Sequence, residues 1–281
     1  MLTEEQKKQI EIENGKINRA LNNIENRIVV FSGKGGVGKT TVSINLACGL
    51  ILKGHTAGIL DADVTGPNVP KMLGVSEQLT TSDNRIIPQK KNGVEVVSLA
   101  SMVPEEQAII WRGPLRSKLL NQFIGDVEWG NLDFLIADLP PGTGDEVITM
   151  TTKLKPDMAI IVTTPQEVSL IDSKRAIAMA KKMEILNIGL VENMSGLFCP
   201  NCGCNIELFG KGGGSKQAKE MGVEFLGSLP IDIETRKAAD EGYPIVLQND
   251  STDISNAMMK IVEMIENISV VGVNRPKVLI K

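Results

Sequence analysis

An apolar run, Ile28–Ser32, leads straight into Gly33-Lys34-Gly35-Gly36-Val37-Gly38-Lys39-Thr40-Thr41, and a helical pattern over Thr40–Lys53 follows at once. The spacing fits G-x-x-x-x-G-K-[ST] in the strand, loop and helix setting that this template demands. Glycines let successive backbone N–H groups turn inward as an anion-binding nest, and the helix start adds its positive end. Lys39 is then placed to neutralise β- and γ-phosphates, and the Thr40 hydroxyl to ligate Mg2+. Gly33–Thr41 is therefore read as a cradle for the phosphates of ATP.

The rest of the chain supports the fold such a loop needs. Short apolar runs at Thr56–Leu60, Val94–Leu99, Leu132–Ala137, Met158–Thr163, Ile188–Val191 and Phe225–Ser228 read as strands. Helical patterns at Arg112–Phe123, Ser169–Met183 and Thr252–Glu266 lie between or after them. Near-continuous apolar strands alternating with helices predict a doubly wound, mainly parallel α/β sheet, with ligands at the carboxyl ends of the strands. The glycine-rich 208–216 is expected to be a loop. Residues 3–26 read as a polar surface helix with Ile10, Ile17, Leu21 and Ile24 on one stripe. The expected organisation is a helical extension, 1–26, and a nucleotide-binding domain, 27–281, that carries a cysteine loop at 198–204.

Two strands end in carboxylates where the phosphates should lie. Thr56–Leu60 runs into Asp61-Ala62-Asp63, and Leu132–Ala137 into Asp138-Leu139-Pro140-Pro141-Gly142. Asp138 suits the position that holds Mg2+ directly or through water. Of Asp61 and Asp63, one is expected to order a magnesium-bound water and the other the attacking water. Gly142 offers a backbone N–H near the γ-phosphate.

Composition removes competing chemistries. The only histidine is His55, so triads built on histidine and multi-histidine metal sites are excluded within one chain. A formal charge of -4 and 3% aromatic residues argue against a nucleic-acid surface with stacking platforms. No run reaches the roughly 18 apolar residues of a membrane span, and the polar N-terminus lacks the apolar core of a signal peptide. Neither nucleic acid nor membrane is expected as a partner, and a reducing, cytoplasmic setting is.

Three of the four cysteines, Cys199, Cys202 and Cys204, fall within six residues, too close to staple distant parts of a fold. C-x-x-C lets two thiolates face one metal centre, and soft sulfur selects zinc, copper(I) or iron–sulfur. One pair is half of a four-thiolate site. The missing ligands must come from Cys204, an external ligand or a second subunit, and both a bridging iron–sulfur cluster and a shared structural zinc meet that need. Cys48, inside the apolar helix after the phosphate loop, reads as packing.

GKGGVGKTT, with its early lysine, resembles the deviant Walker A loop of the ParA/MinD/nitrogenase-iron-protein class of P-loop NTPases. In that class the lysine matching Lys34 reaches across a nucleotide-sandwich dimer to the partner's phosphates, and by the same analogy Asp63 orients the attacking water. Together with DADVTGPNVP, IADLPPGTGD, VENMSGLFCPNCG and GSLPIDIETRKAADEGYPI, the loop resembles the Mrp (ApbC-type) iron–sulfur cluster carrier ATPases over residues 25–248. The resemblance implies a homodimer that hydrolyses ATP slowly, as a conformational switch. It implies a labile [4Fe–4S] cluster at the dimer interface, received from donor or scaffold proteins and passed to apo-protein acceptors. Cys199 and Cys202 match the cluster ligands, Lys34, Lys39 and Thr40 the nucleotide loop, and Asn193 a position that reads adenine. Trp111-Arg112-Gly113-Pro114 also resembles a family segment, with no role carried over. Two alternatives stay open: a positioning or partitioning ATPase of the MinD/ParA kind, and an ATPase whose cysteine loop is a structural zinc clasp.

Overall fold

A computed structural model of the chain describes residues 4–63, 66–76, 78–83, 85–98, 123–248 and 252–272. Its centre is an eight-stranded sheet in the order β12-β9-β8-β1-β7-β2-β6-β5. The strands are β1 (Ile24–Phe31), β2 (Ala57–Asp61), β5 (Gln89–Lys91), β6 (Val94–Ser98), β7 (Leu132–Asp138), β8 (Met158–Thr163), β9 (Asn187–Glu192) and β12 (Glu224–Ser228). All neighbours pair in parallel except β5 and β6. Two small antiparallel pairs stand apart: β3 (Thr80–Ser82) with β4 (Arg85–Ile87), and β10 (Leu197–Phe198) with β11 (Asn205–Ile206).

Strands buried on both faces explain the apolar runs. One core cluster packs Val29, Phe31, Leu135 and Ile161 with α1 (Glu4–Leu21), α4 (Asp145–Leu154) and α5 (Glu167–Lys182). On the other face Ile28, Val30, Ile136 and Ile160 pack with α2 (Lys39–Leu52) and α8 (Asp253–Gly272). Of the shorter helices, α6 (Gly213–Met221) adds Ala218 to the first cluster, while α3 (Val69–Leu73) and α7 (Ile233–Glu241) add Leu73 and Ala238 to the second. Among the described residues no helix is long and apolar enough to cross a membrane.

The predicted elements differ from the observed ones mainly at their ends. The N-terminal helix stops at Leu21, and Ile24–Asn26 belong to β1, where Ile24 and Asn26 pair with Leu132 and Phe134. Glu25, Asn26 and Arg27 interrupt the apolar pattern: Glu25 faces solvent, whereas Asn26 is buried and donates to Asp133 O and Arg27 is half-buried near Asp157. Ile17 and Leu21 are buried as expected, whereas Ile10 is 39% exposed. The stretch expected to be a loop at 208–216 becomes helical from Gly213. The helix Arg112–Phe123 and the segment Trp111–Pro114 lie outside the described residues, Phe123 excepted.

Candidate functional site

β1 is the pivot of the sheet, with β7 on one side and β8 on the other, and its carboxyl end opens into the glycine loop. Gly36 and Gly38 have φ of 79° and 85°, in the left-handed region that disfavours side chains. Gly38 precedes α2, and no side chain caps that helix start. Its first N–H groups thus face the loop, where an anion is the natural partner. A Cβ on Gly38 would also stand 2.1 Å from Asn193 Nδ2, so the position excludes any other residue twice over.

The carboxylate positions converge on this loop because their strands are in register. Asp61 and Asp138 are paired residues at the ends of β2 and β7. Asp138 Oδ2 lies 2.8 Å from Lys39 Nζ and accepts from Thr40 Oγ1 at 2.7 Å, while Oδ1 accepts from Ser43 Oγ at 2.7 Å. Asp138 is 1% and Lys39 7% exposed, so this ion pair sits in a low-dielectric setting. Thr40 and Asp138 present two hard oxygen donors side by side, which fits Mg2+ chemistry.

Asp61 and Asp63, equivalent in the sequence, have different surroundings. Asp61 is fully buried and accepts from Ser98 Oγ at 2.9 Å and from the backbone N–H groups of Asp63 and Val69. Burial, reinforced by the charge of Asp138, pushes its carboxyl up to about 7. Asp63 instead lies 3.9 Å from Lys39 Nζ and accepts from Gly66 N. Asp63 is thus the carboxylate directed to the lysine, and Asp61 braces the loop behind it.

Other expected residues lie around this centre. Lys34 is turned toward α5, with Nζ 3.5 Å from Gln166 Oε1. The Gly142 N–H donates to Ser32 O at 2.7 Å, so in this conformation it is engaged within the protein. Asn193, just past the end of β9, donates to Val37 O at 2.8 Å and borders a cavity of about 460 Å3. Gly38, Thr41, Phe209, Pro230, Ile254 and Met258 also line it. This mostly apolar slot at the start of α2 has the size and character of a small-molecule site.

The cysteines occupy a hairpin that leaves the same strand. Leu197 pairs with Ile206 and Phe198 with Asn205. Between them Cys199 N donates to Cys204 O at 2.9 Å and Gly203 N to Cys199 O at 2.8 Å, closing a tight knuckle. All three thiol sulfurs lie within 4.8 Å of one another. The backbone N–H of Cys204 holds the Cys202 thiol below its ordinary range, whereas bonding to the Cys202 side chain raises Cys204. Cys48 is fully buried, and burial pushes its thiol up to about 12, which fits the packing role.

Sequence reasoning missed two residues. Ser43 stands one helical turn after Thr40, and that spacing was the available signal. Glu192 is fully buried and accepts from Ser195 Oγ at 2.5 Å, Gly212 N at 2.9 Å and Gly214 N at 2.5 Å. It stands at the amino end of α6, where a carboxylate satisfies the helix's first N–H groups, and this is why the glycine-rich run turns helical at Gly213.

Comparison with known proteins places these features in a family. The profile of the NUBPL iron-transfer P-loop NTPases, within the ParA group, matches residues 23–266. An iron–sulfur cluster carrier protein of Pyrococcus horikoshii is 50% identical over 253 residues, covering 86% of this chain and 85% of the relative. A nucleotide-binding protein of Archaeoglobus fulgidus, solved with ADP, is 39% identical and superposes with a TM-score of 0.73 over 82% of this chain and 91% of that one. The cell division ATPase MinD of Pyrococcus furiosus is 25% identical, with a TM-score of 0.65 over 87% of this chain and 99% of that one. With the phosphate loop, its carboxylates and the cysteine hairpin in the matched span, the chain belongs to the NUBPL iron-transfer P-loop NTPase family.

Proposed function

We propose that the protein is an ATP-hydrolysing carrier that holds a labile [4Fe–4S] cluster between two copies of the chain and delivers it to apo-protein acceptors. The observation that carries this reading is the shared root of the two sites. β9 ends in Glu192, and Asn193 follows it: Asn193 is hydrogen-bonded to Val37 of the phosphate loop, and the hairpin bearing Cys199 and Cys202 begins four residues later. A change at the loop on nucleotide binding therefore has a short route to the cluster ligands, one hydrogen bond and then a few residues of chain. The name carried by the relative from Pyrococcus horikoshii supports the cargo, and the ADP-bound relative from Archaeoglobus fulgidus supports the nucleotide.

In this mechanism Gly33–Thr41 wraps the phosphates and Lys39 leaves Asp138 to neutralise them. Thr40 and Asp138 would hold Mg2+, which supplies charge neutralisation on the phosphate oxygens. Asp63 orients the attacking water, and Lys34 leaves Gln166 to reach the partner copy's phosphates. Asn193 and the adjoining apolar slot receive the adenine. Each protomer contributes Cys199 and Cys202, giving the four thiolates a cluster takes. The cluster is cargo, loaded from a donor or scaffold protein, and slow hydrolysis serves as a conformational switch.

The test is anaerobic reconstitution with iron and sulfide, followed by transfer to an apo acceptor, on wild type, Lys39→Ala and the Cys199→Ala/Cys202→Ala double variant. The reading expects the double variant to bind ATP without acquiring cluster absorbance, and Lys39→Ala to lose nucleotide affinity. A double variant that still loads and delivers cluster would falsify it.

A further inference from the structure

The third thiol of the hairpin has no part in the two-copies-sharing-one-cluster arrangement, yet the fold brings it to the other two. Cys204 Sγ lies 3.2 Å from Cys202 Sγ, and all three sulfurs fall within 4.8 Å. The backbone alone builds this arrangement. The Cys199–Cys204 and Gly203–Cys199 bonds close the knuckle, and Gly203 takes the left-handed φ of 70° that the turn demands. Cys202 and Cys204 are exposed and Cys199 is half-buried, so an ion reaches all three from solvent.

The spacing selects the ligand. Three thiolates around one tetrahedral or trigonal ion with bonds of about 2.3 Å stand roughly 3.8–4.0 Å apart. The Cys202–Cys204 separation of 3.2 Å is shorter than that value and no pair exceeds 4.8 Å, so small side-chain rotations meet it. A four-iron cluster asks for something else, because its cysteine sulfurs stand on different iron atoms and so lie further apart. We propose that Cys199, Cys202 and Cys204 of a single protomer form a three-thiolate site for one thiophilic divalent ion of the Zn2+ class, with the fourth position open to an external ligand. The site rests on the carrier reading only in sharing Cys199 and Cys202, and it needs neither a second copy nor nucleotide. An ion held there engages the thiols that cluster loading requires, so the two ligands compete.

Titrating the reduced, full-length protein with Co2+ tests this, since thiolate-bound Co2+ absorbs in the visible. Wild type is expected to saturate at one ion per chain. Cys204→Ser is expected to bind about 100-fold more weakly or worse, because loss of even an outer partner of a metal ligand costs about 10–100-fold. Unchanged ATP affinity certifies the fold of that variant. Alkylation of wild type provides a second reading without mutation: saturating Co2+ should protect Cys204 together with Cys199 and Cys202. Saturation at half an ion per chain, equal affinity in Cys204→Ser, or unprotected Cys204 overturns the site. Iron-and-sulfide loading, read separately, keeps the two ideas apart. Cluster formation with Co2+ affinity independent of Cys204 removes this site and leaves the carrier. One Co2+ per chain with no cluster removes the carrier and leaves the site.

Discussion

Lys39 and Asp138 form a 2.8 Å ion pair between the first residue of α2 and the last residue of β7, both almost out of solvent. Removing the lysine strands a buried carboxylate, a loss of about 3–5 kcal/mol when one partner of such a pair is deleted. Thr40 and Ser43 continue to donate to Asp138, so Lys39→Ala should fall near 3 kcal/mol, measured by denaturant unfolding. ADP is expected to raise the melting temperature of the wild type and to leave that of this variant unchanged, which a thermal scan checks.

Asp61 gives stability a pH dependence of unusual sign. Its carboxyl titrates near 7 when folded and near 3.8 when unfolded. Between those values the folded state keeps a proton the unfolded chain has released, so this group's contribution falls as pH rises. The cost is absent below about pH 4, complete above about pH 7, and has a slope of at most about 1.4 kcal/mol per pH unit. Asp61→Asn keeps an acceptor for Ser98 and should remove that slope. Unfolding curves for the two proteins from pH 4 to 8 should therefore diverge as pH rises; parallel curves count against a neutral Asp61.

Glu192 tethers the root of the cysteine hairpin to the start of α6. Glu192→Gln turns one acceptor oxygen into an N–H donor facing another donor, and should cost about 2–3 kcal/mol. Backbone hydrogen exchange should quicken across 195–214 while β1 and β7 stay protected. Uniform protection in the variant would show that the tether lies elsewhere.

Thiol labelling should separate the cysteines by environment. A pKa near 12 leaves Cys48 essentially without thiolate at neutral pH. Native, metal-free protein should therefore take up three equivalents of iodoacetamide, at Cys199, Cys202 and Cys204. The fourth should react only after unfolding, and mass spectrometry of the peptides reads this directly.

The phosphate loop and Asp138 were legible in the sequence because each is a local pattern: a strand, then residues whose chemistry follows at fixed spacing. What was illegible depends on partners far along the chain. Asp61 and Asp63 look alike as letters, and only Ser98, Val69 and Lys39 tell them apart. Glu192 gave no signal because the glycines it holds come 20 and 22 residues later. The small β10–β11 hairpin was missed because two-residue strands carry no period, although the cysteines it displays were plain. Cys204 was ambiguous for a related reason: spacing gives proximity along the chain, and the backbone bonds of the knuckle decide where the thiols meet.

The Asn193–Val37 bond has a consequence for how such a chain can be altered. The hairpin's own stem is only two residue pairs long, and it hangs from a strand end whose next residue already supports the phosphate loop. Deleting it should disturb the phosphate loop, so on the carrier reading proposed above the cluster ligands and the nucleotide seat are not interchangeable modules. They have to be inherited, and engineered, together.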